Sequence, residues 1–268
     1  MIAFEQANVR YRGGVQALHD VSLQIQPGET VALLGASGAG KTTMLKLLTR
    51  ELSTSGGRVV VDGVDLKILS SRVLRLYREK LGIVFQDLRL IPHLTVIENV
   101  ALPLELRGVD PKEISLRLEP ILNHLGLLPW ARSFPHTLSA GRQRLAAIAR
   151  AVATEPSIIV ADDPTDDLDP VQQQVVLGLF RELCAHGTTV IIATHSPEIA
   201  TAFGGRVVKL ADGRVLADVT SAPRPAAPVA PTRVSTAPSP APITVSAPAA
   251  PVTPKVKITA IHSDEDHV

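Results

Sequence analysis

Two stretches of this chain combine residue types at a spacing that suits phosphate chemistry. Gly35-Ala-Ser-Gly-Ala-Gly-Lys-Thr42 fits G-x-x-x-x-G-K-[ST] and follows the apolar run Val31 to Leu34. Glycines let backbone N–H groups converge on phosphate oxygens, and a helix starting at Thr42 would aim its positive end at the same point. Lys41 would neutralise β- and γ-phosphate charge, and the Thr42 hydroxyl is placed to ligate Mg²⁺. Gly35, Ser37, Gly38, Gly40, Lys41, Thr42 and Thr43 are therefore the expected nucleotide contacts. Downstream, Ile158-Ile-Val-Ala-Asp162-Asp163 is an apolar strand ending in two carboxylates. One of them, Asp162, can hold Mg²⁺ while Asp163 addresses an attacking water. A phosphate loop by itself leaves GTPase, kinase, RecA-like motor and transport ATPase open. No Asn-Lys-x-Asp segment of the kind that reads guanine occurs in the chain, which favours adenine.

Short β-branched runs supply the strands that must carry these loops: Val21 to Ile25, Val31 to Leu34, Val59 to Val61, Ile83 to Phe85, Ile158 to Val160, Val190 to Ile192 and Val207 to Leu210. A helical stretch from about Val171 to His186 lies between two of them, the spacing of a βαβ unit with parallel strands. Between Phe85 and Ile158 the strand signal gives way to Leu-rich periodic sequence, with a helix predicted over Leu138 to Ala153. There Leu145, Ile148, Ala149 and Val152 form one apolar face that reads as core. Arg72, Arg75, Arg78 and Lys80, interleaved with leucines, read as a solvated helix face.

Composition bounds the alternatives. The chain has 268 residues, 45% hydrophobic and 20% charged, with few aromatics, so aliphatic side chains must fill its core. A formal net charge of +1 offers no overall field for gripping nucleic acid or an anionic membrane, and no nucleic-acid partner is expected. Cys184 is the single cysteine and can form no internal disulfide. No secretory-type leader and no apolar run of spanning length is present, so a cytosolic chain is expected whose membrane role would come through a partner. Every glycine lies at or before Gly213, whereas residues 219–268 hold 10 of the 21 prolines. That stretch reads as a disordered Pro/Ala-rich tail, with Val256 to Ile261 able to contact another protein by strand addition.

The ordered set of segments resembles the nucleotide-binding subunit of ATP-binding cassette (ABC) proteins. Gly35 to Thr42 is similar to Walker A, Gln86 to the Q-loop glutamine, and Leu138-Ser-Ala-Gly-Arg-Gln143 to the signature. Ile158 to Asp163 is similar to Walker B, Asp166-Asp-Leu-Asp169 to the D-loop, and His195 to the switch histidine. The resemblance implies an α/β P-loop NTPase fold over residues 1–218, with a RecA-like core sheet, an antiparallel β part and an inserted helical subdomain at about 87–155. It implies binding and hydrolysis of ATP with Mg²⁺. Tyr11 would stack on adenine, and Gln86 would sense the metal and the γ-phosphate. Asp163 would be the general base and His195 would orient the γ-phosphate and the attacking water. Ser139 and Gly141 would contact ATP bound to a second copy, and Asp169 would stitch the two copies together, so that a head-to-tail homodimer is the working unit.

The segment Val84-Phe-Gln-Asp-Leu-Arg-Leu-Ile-Pro92 is similar to the FtsE-type cell-division subfamily, with lipoprotein-release and macrolide-export ATPases as near relatives. That likeness implies an FtsX-like integral membrane partner, a place on the cytoplasmic face of the plasma membrane, and control of cell-wall hydrolases. Several positions depart from the pattern. Asp163 stands where the family has Glu, which draws the carboxylate back by about 1.5 Å. Ala140 replaces the first signature glycine, Arg142 stands at a usual Gln or Glu, and Leu145 replaces a common Arg. Slow turnover with ATP binding intact is the expectation, and a nucleotide-dependent switch with little hydrolysis is the alternative.

Overall fold

The computed structural model describes residues 1–220; the sequence beyond, including the proline-rich tail and Val256 to Ile261, lies outside the described residues. A six-stranded sheet forms the centre, in the order β10(Arg214–Thr220), β9(Arg206–Ala211), β3(Thr30–Leu34), β8(Thr189–Thr194), β7(Ile158–Asp162), β6(Leu81–Val84). All neighbours are parallel except β10, which runs antiparallel to β9. Strands buried on both faces read as near-continuous apolar runs, as Ile158 to Ala161 of β7 and Val190 to Ala193 of β8 do. Ile159, Ala161, Val190 and Ile192 face a core shared with the helical region. Ile158, Val160, Ile191 and Ala193 face a second core beneath a four-stranded antiparallel sheet.

That second sheet has the order β2(Gln16–Ile25), β1(Ile2–Arg10), β4(Gly56–Val61), β5(Val64–Asp65). The β-branched runs do not reveal β1 or the first half of β2, and the reason is local. The β1–β2 register shifts between Phe4 and Ala7 and again between Ala7 and Val9, and Gln6 (φ 47°) and Asp20 (φ 47°) take left-handed backbone. Such bulges break the alternation that marks a strand. Asn8 holds the irregularity, donating to Asp20 Oδ1 at 2.7 Å and accepting from the Asp20 amide at 3.1 Å.

The helices are α1(Lys41–Leu48), α2(Ser71–Glu79), α3(Val96–Glu105), α4(Pro111–His124), α5(Ala140–Val152), α6(Pro170–Ala185) and α7(Pro197–Phe203). α3 to α5 make up the insertion between β6 and β7. Thr95 starts α3 with a capping box to Glu98. One turn in, the fully buried Asn99 ties down the preceding loop: its Oδ1 accepts from the Ile91 amide at 2.7 Å, and its Nδ2 donates to the carbonyls of Ile91, Leu94 and Thr95.

Two sequence readings are corrected. Val219 and Thr220 are not tail: they pair with Val207 and Arg206 in the last strand, where Arg206 also grips Asp218 with Nε–Oδ1 at 2.6 Å. The α2 face is only partly a solvated one. Arg78 donates to the carbonyls of Thr49 and Arg50, and Tyr77 is buried with its hydroxyl on the Leu48 carbonyl at 2.7 Å, so α2 caps the end of α1.

Candidate functional site

Three parallel strands deliver the chemistry to one edge of the sheet. β3 leads into the glycine loop, β8 beside it ends before His195, and β7 on the far side of β8 ends in Asp162 and Asp163. The crevice beyond the carboxyl ends of parallel strands is where this topology leaves room for a ligand. The cleft there has a volume of about 570 Å³. Ser37, Gly38, Gly40, Lys41, Thr42 and Thr43 of the loop line it together with Tyr11, Gln86, Asp163, Asp166 and His195.

The loop is shaped by backbone needs. Gly40 (φ 103°) is the N-cap of α1 with no side-chain cap, and a Cβ there would lie 2.8 Å from Leu18 Cδ2. The first-turn N–H groups of α1 are thus left to an anion rather than to a side chain. Lys41 is buried and folds back over the loop, its ammonium donating to the Gly35 carbonyl at 2.7 Å and the Ala36 carbonyl at 3.0 Å. Its third N–H is the one available to phosphate. Tyr11, 37% exposed, shares a hydrogen bond at 3.1 Å with the Thr43 hydroxyl, which ties the ring to α1.

The two acids have different surroundings. Asp162 is buried, with the Thr42 side chain acting on its carboxylate, while its Oδ1 has no partner. Burial pushes this carboxyl above its ordinary range, with the Asp163 charge adding and Thr42 opposing. The unpaired Asp162 oxygen, the Thr42 hydroxyl and the Gln86 side-chain carbonyl belong to residues lining one pocket, an all-oxygen, hard donor set that fits Mg²⁺. Asp163 has left-handed backbone (φ 43°) and sets its Oδ1 3.2 Å from His195 Nδ1. Asp166 joins them, with ligand-type atoms of all three residues within 4.8 Å of one another. Burial, foremost, and the Asp163 charge raise the Asp166 carboxyl.

The signature residues lie apart from this cleft. Ser139 is the N-cap of α5 and accepts from the Arg142 amide at 3.4 Å, Gly141 is buried in the first turn, and the Arg142 guanidinium covers the Trp130 ring at 4.0 Å. Asp169 caps α6 in a capping box with Gln172, its Oδ1 2.8 Å from the Gln172 amide. None of Ser139, Gly141 and Asp169 lines the cleft.

The ABC transporter family model matches residues 18–166, more than half of the chain. The chain belongs to the ABC transporter family. This ABC cassette is 39% identical to the cell division ATP-binding protein FtsE of Bacillus subtilis (strain 168) over 218 residues, covering 81% of the chain and 96% of that relative. It is 40% identical to FtsE of Escherichia coli (strain K12) over 215 residues, with 80% and 97% covered. A bacterial ABC transporter cassette solved as a dimer superposes with a TM-score of 0.79 at 35% identity, covering 84% of this chain and all of that one. The same cassette in a post-hydrolysis state bound to ADP and Pi gives the same values.

Side chains that the motifs leave unread complete the cassette's site. Arg144 reaches from α5 to the Asp163 carbonyl, and Arg150 from α5 to the carbonyls of Leu88 and Arg89 just past Gln86, both at 2.6 Å. Leu88 (φ 55°) and Arg89 (φ 47°) are consecutive left-handed residues. Nothing in the local sequence marks either arginine, since only the folded arrangement brings its target within reach.

Proposed function

We propose that the chain is an FtsE-like ATPase subunit: it binds ATP with Mg²⁺ in the cleft, hydrolyses it as a head-to-tail homodimer, and drives an FtsX-like integral membrane protein in cell division and cell-wall hydrolase control. The observation that carries the reading is the convergence of Lys41, Thr42, Gln86, Asp163 and His195 on one cleft, while Ser139 and Gly141 stand outside it. One copy would then hold half of each site. Support for the pairing comes from the dimeric cassette with the same fold, and support for the cellular role from relatives named as cell-division ATP-binding proteins. Among the described residues no helix is long and apolar enough to cross a membrane, which suits a subunit held at the cytoplasmic face through its partner.

In this reading Lys41 and the α1 amides hold the β- and γ-phosphates, and Tyr11 stacks on adenine. Thr42, Asp162 and Gln86 hold Mg²⁺, which supplies charge neutralisation at the phosphate oxygens. Asp163 takes the proton of the attacking water, and His195, hydrogen-bonded to it, orients water and γ-phosphate for in-line attack. Asp169 meets the second copy at the seam.

A second reading, an ATP-dependent switch with little hydrolysis, is favoured by the short Asp163 side chain and its engagement with His195. Phosphate release by the purified chain, alone and co-reconstituted with an FtsX-like partner in liposomes, separates the two. The first reading expects at least about tenfold stimulation by the partner, a positioning effect of ordinary size. A rate that stays at background with the partner present favours the switch.

A further inference from the structure

The turn from Asp163 to Asp167 holds two non-glycine residues in left-handed backbone, Asp163 at φ 43° and Asp167 at φ 60°. Asp adopts that conformation more readily than most L residues, and two such residues in one short turn leave its path to be fixed by what holds it. One side chain grips both. Arg144 stands on α5 just over a turn beyond Ser139, with its side chain only 7% exposed. Its Nη1 donates to the Asp163 carbonyl at 3.0 Å and its Nη2 to Asp167 Oδ2 at 3.0 Å, while Nε is buried with no partner. The same helix turn meets the loop a second time: a Cβ on Gly141 would lie 2.7 Å from the Asp167 carbonyl oxygen. A buried guanidinium with an unpaired N–H is a costly way to fill space. What it supplies that an apolar side chain would not is a rigid fork holding two acceptors at a set separation.

We propose that Arg144 is a positioning residue for the attack on ATP, an inference that rests on the hydrolytic reading above. With one methylene between Cα and carboxylate, Asp163 has little side-chain reach with which to correct a displaced backbone. Where its Oδ1 stands, 3.2 Å from His195 Nδ1, follows from where Arg144 holds its carbonyl. Because Ser139 and Arg144 share a helix, movement of the signature end of α5 is passed to the turn through one hydrogen bond to Asp163 and one to Asp167.

Arg144→Gln and Arg144→Lys in the full chain test this with two readouts. In nucleotide-free protein, amide exchange across residues 163–168 is expected to rise about tenfold in Arg144→Gln, with β7 exchanging as in the parent. In steady state, kcat for ATP hydrolysis is expected to fall roughly ten- to a hundredfold while ATP affinity stays within about twofold. Arg144→Lys keeps the charge without the fork and should remain below about a third of the parental kcat. Parental exchange in 163–168, parental kcat in Arg144→Gln, an equal loss of ATP affinity, or full recovery with Lys overturns the proposal. A parent chain that hydrolyses no ATP sinks the hydrolytic reading instead, and the exchange measurement then decides by itself whether Arg144 holds the turn. Should Arg144→Gln fail to fold, Asp167→Gly, which tolerates the left-handed backbone and removes one acceptor, carries the same two expectations.

Discussion

At the scale of single residues, the two adjacent acids at the end of β7 are made unequal by their surroundings. Asp162 is buried near Thr42 with its Oδ1 unpaired, a surrounding that suits a metal ligand. Asp163 faces the cleft and leans on His195. If Asp163 is the base, its reach sets the rate, because a carboxylate withdrawn by about an ångström sits badly for in-line attack. Asp163→Glu is therefore expected to raise steady-state hydrolysis by about tenfold or more, and Asp163→Asn to lower it by at least about a hundredfold, with ATP affinity unchanged in both. A coupled phosphate-release assay reads both; no gain with Glu would show that residue 163 does not limit turnover.

At the scale of elements, the insertion between β6 and β7 hangs on a few polar side chains. Asn99 makes four hydrogen bonds from a fully buried position and so fixes the path from Gln86 to α3. Asn99→Ala would leave the Ile91 amide and the Leu94 carbonyl to find other partners, the Ile91 and Thr95 carbonyls keeping backbone donors, at a cost of about 2–3 kcal/mol. For a folded unit of this size that corresponds to a fall in Tm of roughly 4–10 °C by calorimetry. An unchanged Tm would mean that the loop is held by its apolar neighbours. This scale also shows what was legible in the sequence. The glycine loop, the acid pair and the β8 histidine were readable because each is a short motif directly after an apolar strand. The αβ core followed from the doubly buried runs of β3, β7 and β8. β1 was hidden by its bulges, where Ala and Asn stand in place of β-branched residues. Asn99, Arg144 and Arg150 carry no local signal, because their partners are set by how the insertion folds back on the core.

At the scale of the whole molecule, a single copy holds an unequal distribution of parts. Phosphate loop, acids and histidine share one cleft, while the signature turn at Ser139 and Gly141 opens elsewhere. The exposed Ser139 and Ala140 leave that helix start open to a second molecule. The proposed pairing resolves the asymmetry: each copy's α5 would complete the cleft of the other, and the links from α5 to Asp163 and to the segment after Gln86 would let the two sites influence each other. The added methyl of Ala140 would lie at that seam, which makes the pairing itself the step most exposed to this chain's departures from the family pattern. The decisive measurement is the solution mass of Asp163→Asn by light scattering, with and without saturating ATP and Mg²⁺. The account predicts that ATP doubles the mass and that adding Ser139→Arg abolishes the doubling. A mass that stays that of one chain at saturating ATP, or a doubling that ignores Ser139→Arg, would contradict it.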